Sequence, residues 1–448
     1  MRLCFAVFLG AIACATGAAA QSETNLAAFK GLSALATLEN SPAGKAALAA
    51  NLKVTAAIQD GSAKQPGLSL FPEQQQQALR DAVSTTLNAH QLAEGLGTKL
   101  GAAYQASAVY SSADNGKTVK ATHVSPAVQQ AIAYAFRTSN SDSAVTKSLF
   151  GDGAMPDGKP APAAVTIIRE IKGVTDIFGR AYNLPMGSLG AGPRGNSRPF
   201  QTAPYLITYR GTNQFGFATN SMACLVGPGQ DLRESSSFPS GHTTYGYTEA
   251  TVLAILVPER YAEMIARGAE FGNSRIVLGA HYAMDVIGGR ALALFDLAQL
   301  LANKPGYVGV ERMGLTIDDY PKALAAARAD LVKVLEAGCG GTMAVCAKQD
   351  QSRFADAGKV QAFYDSTQTY GLPVVHAANT GKVDVAKVAP EAGHLLTAAF
   401  PALSLDKANA ILTATQGPGG GFLDNGSAFG VYSRIDLTRA AREAAKAR

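Results

Sequence analysis

Apolar positions recur every three to four residues along most of this chain, a period that reads as helix. Residues 22–60 carry it, with a break at Ser41-Pro42-Ala43-Gly44. Residues 71–112 follow, with Pro72 at a helix start and Ala78, Leu79, Ala82, Val83 and Leu87 at helical spacing. Further helices are predicted over 125–150 and, after a Gly/Pro-rich linker from Gly151 to Pro162, over Ala163 to Tyr182. Residues 183–240 break the pattern with Gly, Pro, Asn and Ser, and a long irregular stretch in a compact domain is often functional. The pattern resumes over Thr243–Val257, Pro258–Phe271 and Ser274–Leu301, then at 317–338, 352–368, 383–399 and 405–414. A Gly417–Gly421 turn and a short basic tail helix close the chain. No Lys-Ser/Thr follows those glycines, so they read as a turn, not a phosphate loop. Alternation typical of strands is sparse, Tyr205–Tyr209 being the best candidate. The expected class is all-α, a helical bundle.

A length of 448 residues suggests two or three packing units. The divisions expected are a leader over 1–20, an N-terminal helical region over 21–160, a core over 161–304 and a C-terminal helical region over 305–448. Charged residues make up only 16% of the chain, so charge-driven disorder is excluded for most of it. The net charge of +5 is too dilute, and too free of Lys/Arg blocks, to indicate nucleic acid as a partner.

The first twenty residues read as an export signal: Arg2, an apolar run from Leu3 to Ala15, and Ala18-Ala19-Ala20 before a cut at Gln21. An N-terminal anchor and a lipoprotein acylated at Cys14 are the alternatives. Ile276–Leu301 is the best later candidate for a span, but Asp285, Arg290 and Asp296 interrupt it. A soluble, periplasmic or secreted protein without stable membrane insertion is expected. Removal of the leader takes Cys4 and Cys14 and leaves Cys224, Cys339 and Cys346. Cys339 and Cys346 flank a Gly-Gly turn and are expected to pair in an oxidising compartment, the alternative being three buried thiols.

Three clusters carry candidate chemistry: Ser197-Arg198-Pro199-Phe200, then Ser237 to Thr244, then Gly272 to Asp285. His281 and Asp285 are four apart on a predicted helix, so a shared face would let the carboxylate orient the imidazole as nucleophile or base. Arg275, six residues earlier, falls on roughly the same side. Ser240, Gly241 and His242 precede a strong helix, whose N-terminal amides form a ready anion site. Arg198 adds a forked donor suited to phosphate oxygens. Singly these features are ordinary caps and turns. Together they point to binding a tetrahedral oxyanion and attacking it.

The three clusters resemble the signature of the type 2 phosphatidic acid phosphatase superfamily, which includes bacterial class A non-specific acid phosphatases and vanadium haloperoxidases. Its three parts are Lys-x6-Arg-Pro, Pro-Ser-Gly-His and Ser-Arg-x5-His-x3-Asp. Pro239-Ser240-Gly241-His242 matches the second, and Ser274-Arg275 through His281 to Asp285 matches the third. The clear resemblance covers residues 194–300 and is closest to the soluble acid phosphatases. It implies hydrolysis of phosphate monoesters without a metal or other cofactor. His281 would be the nucleophile forming a phosphohistidine, Asp285 its orienting partner, and His242 the acid and then the base. Arg198, Arg275, Ser240 and the Gly241 N–H would hold the phosphoryl oxygens. A mildly acidic optimum would follow.

One position departs from the signature. Arg198-Pro199 ends the first part, but Ala191 stands where the family has Lys. Arg194 is the nearest substitute; Arg180 and Lys172 are more distant. His90, His123, His376 and His394 have no partner at a meaningful spacing and read as surface or structural. Two other readings stay open: a haloperoxidase in which His281 ligates vanadate, and a phosphate- or phospholipid-binding protein without turnover. The small-molecule partner would be a phosphate ester. Its identity and any homo-oligomer are left open by the sequence.

Overall fold

The computed structural model describes residues 23–63, 66–85, 87–150, 162–170, 176–203, 208–227 and 230–446. The leader, most of the 151–162 linker, Lys172 and most of Tyr205–Tyr209 lie outside these. Among the described residues helices dominate, and strands form only three two-stranded antiparallel ladders: Tyr110–Ser111 with Lys120–Ala121, Arg210–Thr212 with Ala218–Asn220, and Val226–Gly227 with Gln230–Asp231. The all-α class holds.

The longer helices are α1 (Glu23–Leu32), α2 (Pro42–Gln59), α3 (Phe71–Asp81), α4 (Thr98–Ser107), α5 (Pro126–Leu149), α6 (Gly241–Leu256), α7 (Tyr261–Val277), α8 (Ala283–Leu301), α9 (Tyr320–Cys339), α10 (Ala357–Thr369), α11 (Leu405–Thr415) and α12 (Leu437–Lys446). The centre is α6, packed against α5, α7 and α8. Every residue of α8 is buried, the pattern of a helix at the middle of a large core. Its charges are answered inside the protein. Arg290 donates to the carbonyls of Thr367, Gln368 and Ser433, and Asp296 accepts from the Tyr307 hydroxyl at 3.1 Å. No described helix is long and apolar enough to cross a membrane. One hydrophobic cluster runs from Ala28 to Ala444, so the N- and C-terminal helices share the core of α6–α8.

Ser41 and Ser125 cap α2 and α5 by accepting from Gly44 and Val128 N–H, with Pro at the first helical position of each. Cys339 and Cys346 form a disulfide across the end of α9, where Gly340 takes the left-handed conformation that favours glycine.

Four predicted elements are corrected. Residues 71–112 are not one helix: α3 ends at Asp81, a 3-10 turn covers Leu92–Leu96, and α4 starts at Thr98. Leu87 and Ala89 adopt positive φ there, and Asn88 Nδ2 donates to the Val109 and Thr122 carbonyls, holding the irregular path from both sides. Residues 383–399 form short turns of helix instead of a single one. The predicted break between Phe271 and Ser274 is absent, since α7 runs through both. The break comes instead at Leu278–Tyr282, where Gly279 has φ +86°, so His281 lies between helices and not on one.

A carboxyl pair sits deep between α5 and α8. Asp142 and Asp296 hydrogen-bond to each other, Asn25 donates to Asp142 at 2.6 Å, and the Arg312 charge is close by. Burial pushes the Asp142 carboxyl up to about 6, against the pull of Arg312. Burial, and then repulsion from Asp142, hold Asp296 well above the usual range. The folded pair binds protons that the unfolded chain has released above about pH 4, so stability falls as pH rises through about 6. Asp142→Asn should flatten that dependence by on the order of 2 kcal/mol. Melting temperatures at about pH 5 and pH 7.5 check this; an unchanged slope in the variant contradicts it.

Candidate active site

Loops converge on the N-terminal end of α6. Ser240 caps that helix: its Oγ accepts from Thr243 N–H at 3.2 Å and from the Thr243 hydroxyl at 2.8 Å. Its own proton is left over for an acceptor. The amides of the first turn, from Gly241 and His242 onward, face the positive end of the helix dipole.

Asp285 is the third residue of α8. Its Oδ2 accepts from Tyr282 N–H at 2.9 Å, from the Ser237 hydroxyl, and from His281 Nδ1 at 3.1 Å. The His–Asp contact expected from a shared helical face is therefore made, by a different route. The carboxylate is a helix N-terminal group reaching back over the residues that precede the helix. Burial lifts this carboxyl to about 6, with Ser237, the Tyr282 amide, Lys147 and Arg198 pulling the other way.

Arg198 closes the other side of His281. Its Nη1 lies 3.0 Å from His281 Nε2 and 3.0 Å from the Ala280 carbonyl. Its Nε donates to the Leu232 and Ser235 carbonyls, and its Nη2 to Ser235 Oγ and the Ser236 carbonyl. A guanidinium has only donors, so the His281 Nε2 facing it carries the lone pair, and the proton sits on Nδ1 toward Asp285. Upstream of Arg198, Asn196 accepts from Phe178 N–H and donates to the Phe150 carbonyl, while Asp176 accepts from Asn196 N–H. The irregular segment is thus ordered by Asn and Asp side chains that a helix or strand pattern cannot reveal.

Arg275 lies in the last turn of α7 and is fully buried. Its Nη1 donates to the Asp81 carbonyl at 3.3 Å, while Nε and Nη2 have no hydrogen-bond partner among the described residues. The Asp81 carboxylate is held through both oxygens by Arg267 and Ser274 and acts on Arg275 through its charge. The Arg275 charge reaches His242: burial first, then Arg275, Arg198 and Lys147, hold the half-buried His242 well below the usual histidine range. The same causes, with Arg198 leading among the charges, act on His281. His242 Nδ1 meets the Tyr245 hydroxyl at 3.2 Å, one turn further along α6.

The structure therefore brings together His281, Asp285, His242, Arg198, Arg275, Ser240 and Gly241. Arg194 is half-buried, and its carbonyl accepts from the Ser236 hydroxyl at 3.2 Å. The residue missed in the sequence is Lys147 on α5, whose Nζ donates to the Ser236 carbonyl at 2.7 Å and the Ser237 carbonyl at 3.4 Å. Of the other histidines, His90 and His376 bond backbone carbonyls of Ala108 and Phe422.

A buried imidazole oriented by a carboxylate, with guanidiniums and a helix N-terminus nearby, is an arrangement suited to an oxyanion. Residues 195–301 match the PAP2 superfamily, so the chain carries a PAP2 superfamily domain over that stretch. It is similar to a non-specific acid phosphatase of Salmonella typhimurium, 38% identical over 112 residues, which is 25% of this chain and 39% of that protein. An acid phosphatase of Zymomonas mobilis is 42% identical over 82 residues, 18% and 31% of the two chains. A non-specific acid phosphatase of Providencia stuartii is 36% identical over 89 residues, 20% and 34%. The chain thus matches between 31% and 39% of the length of these relatives.

Proposed function

We propose that the protein is an acid phosphatase that hydrolyses phosphate monoesters through a phosphohistidine on His281. The observation that carries this is the His281 ring itself, with Nδ1 held by Asp285 and the Nε2 lone pair turned toward Arg198. His281 Nε2 attacks phosphorus as the ester P–O bond breaks. The leaving oxygen takes a proton from His242, giving the free alcohol. In the second step neutral His242 takes a proton from water, the water oxygen attacks phosphorus, the P–N bond breaks and inorganic phosphate leaves. Arg198, Arg275, the Ser240 hydroxyl and the amides of α6 stabilise charge on the equatorial oxygens. No metal enters these steps.

His242 must carry a proton in the first step, yet burial and three cations disfavour it in the free site. A bound phosphate ester supplies the opposing charge and raises the affinity for that proton. Protonation of the acid is thereby coupled to substrate binding, and it is lost as pH rises. Hydrolysis of p-nitrophenyl phosphate should therefore peak below neutral pH and decline above it. An optimum above pH 9 contradicts His242 as the acid.

The disulfide suits an oxidising compartment, and we place the mature protein in the periplasm or outside the cell. Phosphate release from nucleotides, sugar phosphates, inositol phosphates and lipid phosphates defines the substrate. Bromide oxidation with added vanadate, run beside it, tests the haloperoxidase reading. Phosphate binding without any turnover would favour a binding protein.

A further inference from the structure

The PAP2-matched segment begins at residue 195, and the position of its signature lysine is Ala191. Besides Arg198 and Arg275, a cation from α5, outside that segment, acts on both histidines. Protonated Lys147 has three N–H donors, and the Ser236 and Ser237 carbonyls engage two, which leaves one for an oxyanion; burial and then the Arg198 charge disfavour that proton in the free site, and a bound phosphate would oppose them. Its charge ranks among the principal ones acting on both His281 and His242, where that of Arg194 does not.

Ser143 lies four residues before Lys147, on the same face of α5. It is 2% exposed, and its hydroxyl has no hydrogen-bond partner among the described residues. Both side chains border the anion nest. A β-carbon built on Gly241 would lie 3.5 Å from Ser143 Oγ, 3.7 Å from Lys147 Cε and 3.5 Å from the Tyr245 ring. Glycine keeps that space open. The buried hydroxyl, unfavourable when left without an acceptor, borders the same opening as the lysine and the first amides of α6.

We propose that Ser143 and Lys147 form a phosphate-binding edge on α5, with Lys147 supplying from outside the PAP2-matched segment the cation that Ala191 cannot. The inference rests on the phosphatase reading of the same site. Buried Ser143 and half-buried Lys147, one helical turn apart, would grip the phosphoryl oxygens from α5. The substrate would then be enclosed by donors from α5, α6, α7 and the loop before Pro199.

The test measures KM and kcat for p-nitrophenyl phosphate, and competitive inhibition by inorganic phosphate, in four variants. Lys147→Met should raise KM and the phosphate Ki by about 10–100-fold, the size of a lost charge-assisted contact. Lys147→Arg should recover much of that loss, which a purely structural role would not predict. Ser143→Ala should weaken phosphate by about 3–10-fold. Arg194→Ala should stay within about twofold of wild type. A folded Lys147→Met with unchanged phosphate Ki overturns the proposal, as does Arg194→Ala showing the loss expected of Lys147. Should Lys147→Met not fold, an unchanged Ki in Ser143→Ala together with full loss in Lys147→Arg overturns it as well. Failure of the phosphatase reading looks different: wild type would neither hydrolyse the ester nor be inhibited by phosphate.

Discussion

Replacing His281 with Ala is expected to lower phosphate release from p-nitrophenyl phosphate by at least about 10⁴-fold, the scale seen when a covalent nucleophile is removed. His281 is 1% exposed and is the one imidazole in the site with both nitrogens assigned: Nδ1 to Asp285, Nε2 to the space beside Arg198. His242, turned to Tyr245, has no orienting carboxylate of this kind among the described residues, and the Ser237 hydroxyl spends its proton on the same Asp285 Oδ2. The variant should still bind inorganic phosphate, since Arg275 and the amides of α6 remain. Release rate and phosphate Ki, measured on the same folded preparation, separate the two roles. Hydrolysis persisting within tenfold of wild type would remove His281 from the nucleophile's place.

The second large effect is expected of Asp285→Asn. The carboxylate accepts three hydrogen bonds through Oδ2, and its Oδ1 has no hydrogen-bond partner among the described residues. An amide in that position can present N–H to His281 Nδ1, which moves the ring proton to Nε2. The lone pair would then point away from phosphorus, and an N–H would face the donor Nη1 of Arg198. In hydrolases where an Asp orients a catalytic His, this kind of substitution lowers kcat by about 10⁴-fold with geometry intact. A drop in kcat of about 10³–10⁴-fold with little change in KM is therefore expected. If KM rises and kcat holds, Asp285 is serving substrate binding instead.

The site motifs were legible because their chemistry is compressed into short spacings: Pro239 to His242, and Ser274 to Asp285. The geometry behind the second was not. Periodicity suggested one helix from Ser274 to Leu301, whereas Gly279 breaks it and Asp285 reaches His281 from the start of a new helix. The spacing of four survives either path, so the right contact was inferred from the wrong element. Lys147 was not legible at all. It belongs to an ordinary-looking helix, and only folding places α5 against α6. Leu87 and Ala89 in positive φ, on the irregular path beyond the end of α3 at Asp81, carry no local signal: Leu87 N–H donates to the distant Glu249, and Asn88 Nδ2 to the Val109 and Thr122 carbonyls. The Asp142–Asp296 pair is hidden for the same reason: each residue alone looks like a polar position on a helix.

The claim at the centre of this account is that phosphorus becomes bonded to His281 Nε2 during turnover. Rapid mixing of the protein with p-nitrophenyl phosphate, quenching in base, where phosphohistidine survives, and peptide mapping by mass spectrometry test it most directly. The account predicts phosphate on the peptide containing His281, attached at Nε2, appearing with the burst of p-nitrophenol and absent in His281→Ala. Steady turnover with no phosphorylated peptide, or with the phosphate on another residue, would contradict it.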